Sequence, residues 1–301
     1  MDIYASVTAR IIDQMEAGLA KGEGPLWHRA PSMPLNAITG KSYNGVNILM
    51  LWLSSQISGH LPYWATYRAW GQAGAQVRKG ERGSQIAFFK RLDRGRNDDG
   101  DADADADDGD DGRSAPLVAR AYTVFSGSQV DGWTPPQQLE PLPLEARIQA
   151  ADLFFNNVGA RLDHAGDMAY FTPAEDRIVM PEFVRFRDAE SYYSVLGHEH
   201  VHWTGHSSRL ARDLTGRFKS QAYAAEELVA EIGAAFLCAG LGLSLDPRPD
   251  HARYLSSWLR LLRDDKRAIF SAAAAAQRAC DMLWAMQPEM RLADQAAASA
   301  A

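Results

Sequence analysis

The stretch Gly197-His198-Glu199-His200-Val201-His202-Trp203-Thr204-Gly205-His206 constrains this chain more than any other. It contains H-E-x-x-H, as His198, Glu199 and His202. Residues four apart in an α-helix lie one turn apart on one face. His198 and His202 can therefore offer two imidazoles to one metal ion. Glu199, beside the first, can reach a water on that ion and act as general base. The flanks support a helix here: Tyr192-Tyr193-Ser194-Val195-Leu196 is an apolar lead-in, and Thr204-Gly205 is a stop. The plain alternative is a solvated run of histidines. A second helical stretch weighs against it. Ala224 to Phe236 carries Glu226, Glu227 and Glu231 among Leu228, Val229, Ile232, Ala235 and Phe236. A helix with that much apolar surface does not turn carboxylates inward without a partner, and a metal ion is such a partner.

With 301 residues, 46% of them hydrophobic, the chain is long enough for two domains with real cores. Its net charge of −7 conceals an asymmetry. Residues 1–97 hold 12 Lys and Arg against 6 Asp and Glu, residues 98–112 hold nine Asp and no base, and the remainder is mildly acidic. A basic region of this kind suits a polyanionic partner. The two cysteines, Cys238 and Cys280, sit in apolar helical contexts and read as buried thiols of a reducing compartment. The N-terminus shows no basic-then-apolar leader, and no apolar run reaches membrane-spanning length. The expectation is a cytoplasmic protein with no membrane partner.

The domain boundaries come from composition and periodicity. Residues 2–21 repeat apolar side chains at helical spacing, and Asn47 is placed to cap a helix over Ile48 to Ile57. Ser84 to Lys90 and Arg120 to Val124 read as partner strands. Between them, the Asp-Ala alternation of residues 93–116 cannot bury apolar surface and is expected to be a disordered insertion. It lacks the ordered ligand pattern, with its glycine in place and a terminal Glu, of a calcium loop. Prolines at 135, 136, 141 and 143 mark a linker over 135–143. The expected division is a first domain over 1–134, a second over 144–290, and a flexible tail over 291–301.

The first domain lacks helix-turn-helix and zinc-finger spacing. Proteins that bind single strands instead combine aromatic platforms with interleaved bases. Four of the eight tryptophans (Trp27, Trp52, Trp64 and Trp70) precede residue 97, together with Tyr63, Lys90 and Arg91. The candidate contacts are Lys41, Tyr43, Trp64, Tyr67, Arg68, Arg78, Lys79 and Arg82. Several of these rings can equally be core, Trp52 first among them.

Taken together, the motifs resemble the ArdC-type antirestriction proteins of conjugative plasmids, over essentially the whole chain. The residues that carry the likeness are Pro34-Leu35-Asn36 with Thr39 to Asn47, Trp64-Ala65-Thr66-Tyr67, Gly74 to Glu81, His198 to His206 with Arg209-Leu210, and Glu226 to Glu231. The Asp-rich insertion departs from the pattern. The resemblance implies an N-terminal domain that binds single-stranded DNA, a C-terminal zincin-like metallopeptidase domain, and protection of incoming plasmid DNA from restriction. His206 lies four residues beyond His202, not the six that a metzincin requires. The gluzincin pattern, a Glu on a following helix with an acid one turn later, fits better. It makes Glu227 the third ligand and Glu231 an acid that orients a ligand histidine, with Glu226 as the alternative ligand. His200 points about 200° away from His198 on the helix and reads as a bystander. His206 lies either near the cleft or at the surface.

The expectation is therefore an α+β protein: a mixed α/β single-stranded-DNA-binding domain followed by a gluzincin-like metallopeptidase domain. Zn²⁺, or another divalent ion such as Mn²⁺, is the expected cofactor, and an unidentified protein is the substrate. The strand Asp176 to Met180 is expected at a sheet edge, paired with an extended peptide. Two other readings stay open. One is a DNA-shielding protein whose metal is purely structural, and the other is a regulatory protease that cleaves one repressor.

Overall fold

The computed structural model of the chain describes residues 2–21, 27, 32–91, 117–136, 142–216, 220–243 and 251–288. The insertion expected at 93–116, the tail at 291–301 and part of the linker lie outside these residues. The chain divides into two compact units, residues 1–139 with 265–270, and residues 140–264 with 271–301. It is an α+β protein.

In the first unit, the apolar repeat of the N-terminus forms α1 (Ile3–Ala20), which buries Ile3, Val7, Ile11 and Met15. Asp2 caps it, accepting from the backbone N–H groups of Tyr4 and Ala5. Then follow β1 (Leu35–Asn36), α2 (Val46–Ser58), β2 (Tyr63–Thr66), α3 (Tyr67–Gln72), β3 (Gln76–Val77), β4 (Ser84–Arg91), β5 (Leu117–Ser126) and β6 (Val130–Asp131). One sheet has the order β1-β2-β5-β4, and β3 pairs separately with β6. The strands β4 and β5 run antiparallel in unbroken register from Ser84 opposite Val124 to Arg91 opposite Leu117. Asn47 is not the cap of α2. The cap position is Gly45, at a φ of 56° that suits glycine. The Asn47 amide instead pins the helix to β4: Nδ2 donates to Ala87 O, and Oδ1 accepts from Ala87 N, both at 2.8 Å. Two backbone groups inside the protein outcompete a helix terminus for that side chain.

The second unit contains α4 (Leu144–Val158), β7 (Arg161–His164), β8 (Tyr170–Thr172), β9 (Arg177–Met180), α5 (Ala189–Thr204), α6 (Gln221–Leu241), α7 (His251–Asp264) and α8 (Ala268–Ala285), the last from Ser271 onward. The sheet order is β7-β9-β8, with β9 parallel to β7 and antiparallel to β8. This corrects the expectation for Asp176 to Met180. That strand is the centre of its sheet, with both edges paired, and the edge strands are β7 and β8. Helices α5 and α6 pack closely because Gly233 presents only backbone to Val201. A Cβ at Gly233 would come within 2.7 Å of Val201 Cγ2. Among the described residues, no helix is long and apolar enough to cross a membrane.

Candidate metal centre and nucleic-acid surface

Helix α5 begins at Asp188, whose Oδ1 accepts from Ser191 N at 2.7 Å. A cap of this kind is worth about 1 kcal/mol. The helix runs through an apolar first half (Tyr192, Tyr193, Leu196) and ends at Gly205. Helix α6 begins at Ser220, which accepts from Tyr223 N, and ends at Gly242 in the left-handed conformation. One carries the two histidines and the other the three glutamates.

His198, His202 and Glu227 each offer a ligand atom, and these atoms all lie within 4.8 Å of one another. The two Nε2 atoms are 3.1 Å apart. Glu227 places Oε2 at 3.6 Å from His198 Nε2 and Oε1 at 3.6 Å from His202 Nε2. The other ring nitrogens face the remaining glutamates. His202 Nδ1 lies 3.1 Å from Glu226 Oε1, and His198 Nδ1 lies 3.6 Å from Glu231 Oε2. Glu231 thus faces the outer ring nitrogen of His198. Glu226, the alternative ligand, backs His202 and is held by Arg212 on both oxygens, at 2.9 and 3.0 Å.

The donor set suits a divalent cation. Burial raises the Glu226 carboxyl, but His202 and Arg212 hold it below the ordinary range, so it is ionised. An ionised carboxylate only accepts hydrogen bonds. The Nδ1 atom of His202 therefore carries a proton. Burial alone would lower the His202 pKa, yet Glu226 and Glu227 push it up to about 10. Burial likewise raises Glu227, and the two imidazoles beside it more than reverse that. The carboxylates thus demand positive charge between the helices, which an imidazolium or a divalent ion supplies. Two nitrogens and one carboxylate are also a common ligand set of catalytic zinc sites.

His198, His202, Glu226 and Glu227 line a cavity of about 270 Å³. Glu199 faces it too, although only 4% of its surface is exposed. Tyr170 and Phe171 of the edge strand β8 form part of another wall. Tyr223 and Tyr254, with their hydroxyls 3.0 Å apart, form a third. Sequence reasoning missed both tyrosines. Tyr223 had a signal, since it lies one helical turn before Glu227. Tyr254 comes from a separate helix and had none. His200 is buried on the far side of α5, where Nδ1 donates to Leu196 O at 2.8 Å and burial holds its pKa down at about 4. It packs against Phe155 and is neither a ligand nor a surface residue. His206 sits beyond the helix end, bonded to Ser208 Oγ at 2.7 Å, outside the cluster.

The first unit divides the candidate DNA contacts. Lys41, Tyr67, Arg68, Lys79 and Arg82 are exposed, Tyr67 at 56%. Trp64 is fully buried, and Tyr43 is buried with its hydroxyl donating to Trp64 O. Neither ring offers a face for stacking, which corrects the expectation for both. Arg78 is exposed but committed. It pairs with Glu81 at 2.8 Å and also donates to the carbonyls of Ser128 and Val130. That role is architectural, because it ties the turn after β3 to the segment leading into β6. Tyr67, Gln76, Lys79, Phe125 and Asp131 line an open cavity of about 580 Å³ here.

Comparison with known proteins places this arrangement. A family model described as a zincin-like metallopeptidase matches residues 149–275, and one for the N-terminal domain of the anti-restriction factor ArdC matches residues 1–125. Two crystal structures of the antirestriction protein ArdC from plasmid R388 match along nearly the whole chain at 38% identity. The metal-free form covers 95% of this chain and 98% of its own, with a TM-score of 0.76. The chain belongs to the ArdC antirestriction family. The Mn(II)-bound form of that relative matches with a TM-score of 0.78, over 97% of this chain and 100% of its own. Protein y4eC of Sinorhizobium fredii, itself uncharacterised, is 48% identical over 295 residues, covering 96% of this chain and 93% of y4eC. A DNA primase TraC of Escherichia coli is 35% identical over 289 residues. This chain spans only 20% of that primase's length. The family likeness read from the sequence motifs is therefore borne out across both halves.

Proposed function

We propose that this ArdC-family chain protects incoming plasmid DNA by binding single strands with its first domain, over 1–134, and hydrolysing a peptide bond with its second, over 144–290. His198, His202 and Glu227 would hold a divalent ion, Zn²⁺ or Mn²⁺. When bound, such an ion supplies Lewis acidity and lowers the pKa of a water toward about 7. Glu199, which faces the same cavity, would act as general base toward a water there and as general acid toward the leaving amine. Glu226 and Glu231 keep the two imidazoles oriented. Among the described residues β8 is an edge strand, and its outer side would offer main-chain groups to an extended peptide beside the cavity.

Glu199 carries the hydrolytic reading. A purely structural metal site has no use for a fourth, nearly buried carboxylate that faces the same cavity as the ligands but backs none of the ligand histidines. On the DNA side, support comes from exposed Tyr67 beside Lys79 on an open cavity, with Lys41, Arg68 and Arg82 exposed as further cations. The experiment is a proteome-wide comparison of new N-termini in cells that receive a plasmid encoding either wild type or Glu199→Ala. Hydrolysis predicts cleavage products present only with wild type. Identical N-terminal profiles would refute it.

A further inference from the structure

The loop that follows α5 brings one cation to the back of the candidate metal centre. Arg212 makes four contacts there. Nη2 donates to Val201 O at 2.6 Å, and Nη1 to Thr204 Oγ1 at 2.9 Å. Nε and Nη2 grip the two oxygens of Glu226 at 3.0 and 2.9 Å. Arginine and glutamate are both nearly buried, each side chain 11% exposed. The Oε1 atom that Arg212 holds is the one 3.1 Å from His202 Nδ1.

The backbone is shaped around this contact. Ala211, just before the arginine, has φ at +48°, a left-handed conformation uncommon for a residue with a side chain. Gly205 leaves room for the guanidinium, since a Cβ there would meet Arg212 Nη2 at 2.9 Å. A strained residue and a glycine gap thus both serve the placement of one side chain. Local strain of this kind is usually retained where placement matters to function.

We propose that Arg212 and Glu226 are positioning residues that hold His202 in the tautomer and orientation its role as a ligand requires, and so set the affinity of the centre for metal. This rests on the reading of His202 as a ligand. Arg212 donates to both oxygens of Glu226, so the carboxylate faces His202 Nδ1 as an acceptor, which places the His202 proton on Nδ1 and turns the Nε2 lone pair toward His198 and Glu227. A neutral amide at position 226 has no such preference, because it can present either a donor or an acceptor. Outer partners of ligand histidines typically alter metal affinity by about 10–100-fold.

The test uses the full chain, Co²⁺ as probe and a competing chelator, with the d–d absorption of the bound ion as a second readout. Glu226→Gln should weaken Co²⁺ binding by about 10–100-fold while the protein stays folded. Arg212→Ala should weaken it too, and should add no further loss in the Glu226→Gln background, because the two act as one unit. Thr204→Val removes a contact of Arg212 with the helix end but spares the grip on Glu226. It should lower the melting temperature and leave Co²⁺ affinity intact. Wild-type affinity in folded Glu226→Gln overturns the relay. Should Glu226→Gln fail to fold, Arg212→Lys decides, since an ammonium cannot grip both carboxylate oxygens and the helix end together: weakened binding supports the relay and unchanged binding overturns it. If His198→Ala and His202→Ala bind Co²⁺ as wild type does, the ligand reading itself falls, and the relay with it.

Discussion

Replacing Gly233 by alanine should damage the metal centre more than it damages the fold. Gly233 faces Val201 at the closest approach of α5 and α6. A Cβ there would lie 2.7 Å from Val201 Cγ2 and 3.0 Å from Cγ1, and the first is 0.7 Å short of ordinary contact, which starts at 3.4 Å. Valine has one strongly preferred rotamer in a helix, and Val201 is fully buried, so the helices must part. Overpacking costs about 1–3 kcal/mol, and the better helix propensity of alanine returns up to about 1 kcal/mol. The net loss of stability is about 0–3 kcal/mol. The geometric effect is larger. Val201 precedes His202, and Glu231 lies two residues before Gly233, so the displacement acts on both walls of the site. Metal sites tolerate about 0.2 Å in ligand distances. Gly233→Ala should therefore show a modest shift in thermal unfolding but a clear loss of affinity in chelator competition. Val201→Ala in the same chain should restore the affinity. Wild-type metal affinity in Gly233→Ala would refute the claim that this helix contact sets the ligand geometry.

Elemental analysis of purified variants should find His198→Ala and His202→Ala without stoichiometric divalent metal, and Glu199→Ala with it. In DNA titrations, Lys79→Ala and Arg82→Ala should each reduce the slope of log affinity against log salt by about 0.7, the value for one phosphate contact on a single strand. Arg78→Ala should lower the melting temperature more than it changes that slope, because its guanidinium is spent on Glu81 and backbone carbonyls. The Arg209 guanidinium holds the Asp176 carboxyl below the usual carboxylate range. A carboxyl lowered by folding contributes stability above its unfolded pKa and loses it as pH falls through the folded value. Urea denaturation of Arg209→Gln should therefore be less pH-dependent than wild type from about pH 5 to pH 2. Equal slopes would show that the pair does not couple to folding.

What could be read in the sequence followed from local periodicity. The four-residue spacing of His198 and His202, and of Glu227 and Glu231, is fixed by helix geometry, so those side chains could be placed before any tertiary structure was known. The same holds for α1 and for the strands β4 and β5. Contacts between distant segments were not legible. Trp64 and Tyr67 lie three residues apart in one aromatic, basic stretch, yet one is core and the other is exposed. That difference arises where β2 meets α3, a boundary the composition does not mark. Arg78 looked like a phosphate ligand because two of its partners, Ser128 and Val130, are some fifty residues away. Nothing near β9 indicated that β7 would cover its second edge, since Arg161 to His164 has no apolar alternation. Arg212 carried no signal at all, because its role depends on a helix that begins nine residues later.

The most direct test of the account is plasmid transfer into recipients with and without a restriction system, comparing wild type, Glu199→Ala and His202→Ala. Loss of a general base costs about 10²–10⁴ in rate, enough to abolish a hydrolytic effect, while Glu199 belongs to neither the metal-ligand set nor the first unit. The account predicts that Glu199→Ala retains metal and single-stranded-DNA affinity yet loses protection against restriction. Protection by Glu199→Ala equal to wild type, with protection lost in His202→Ala, would contradict it and leave the metal a structural role.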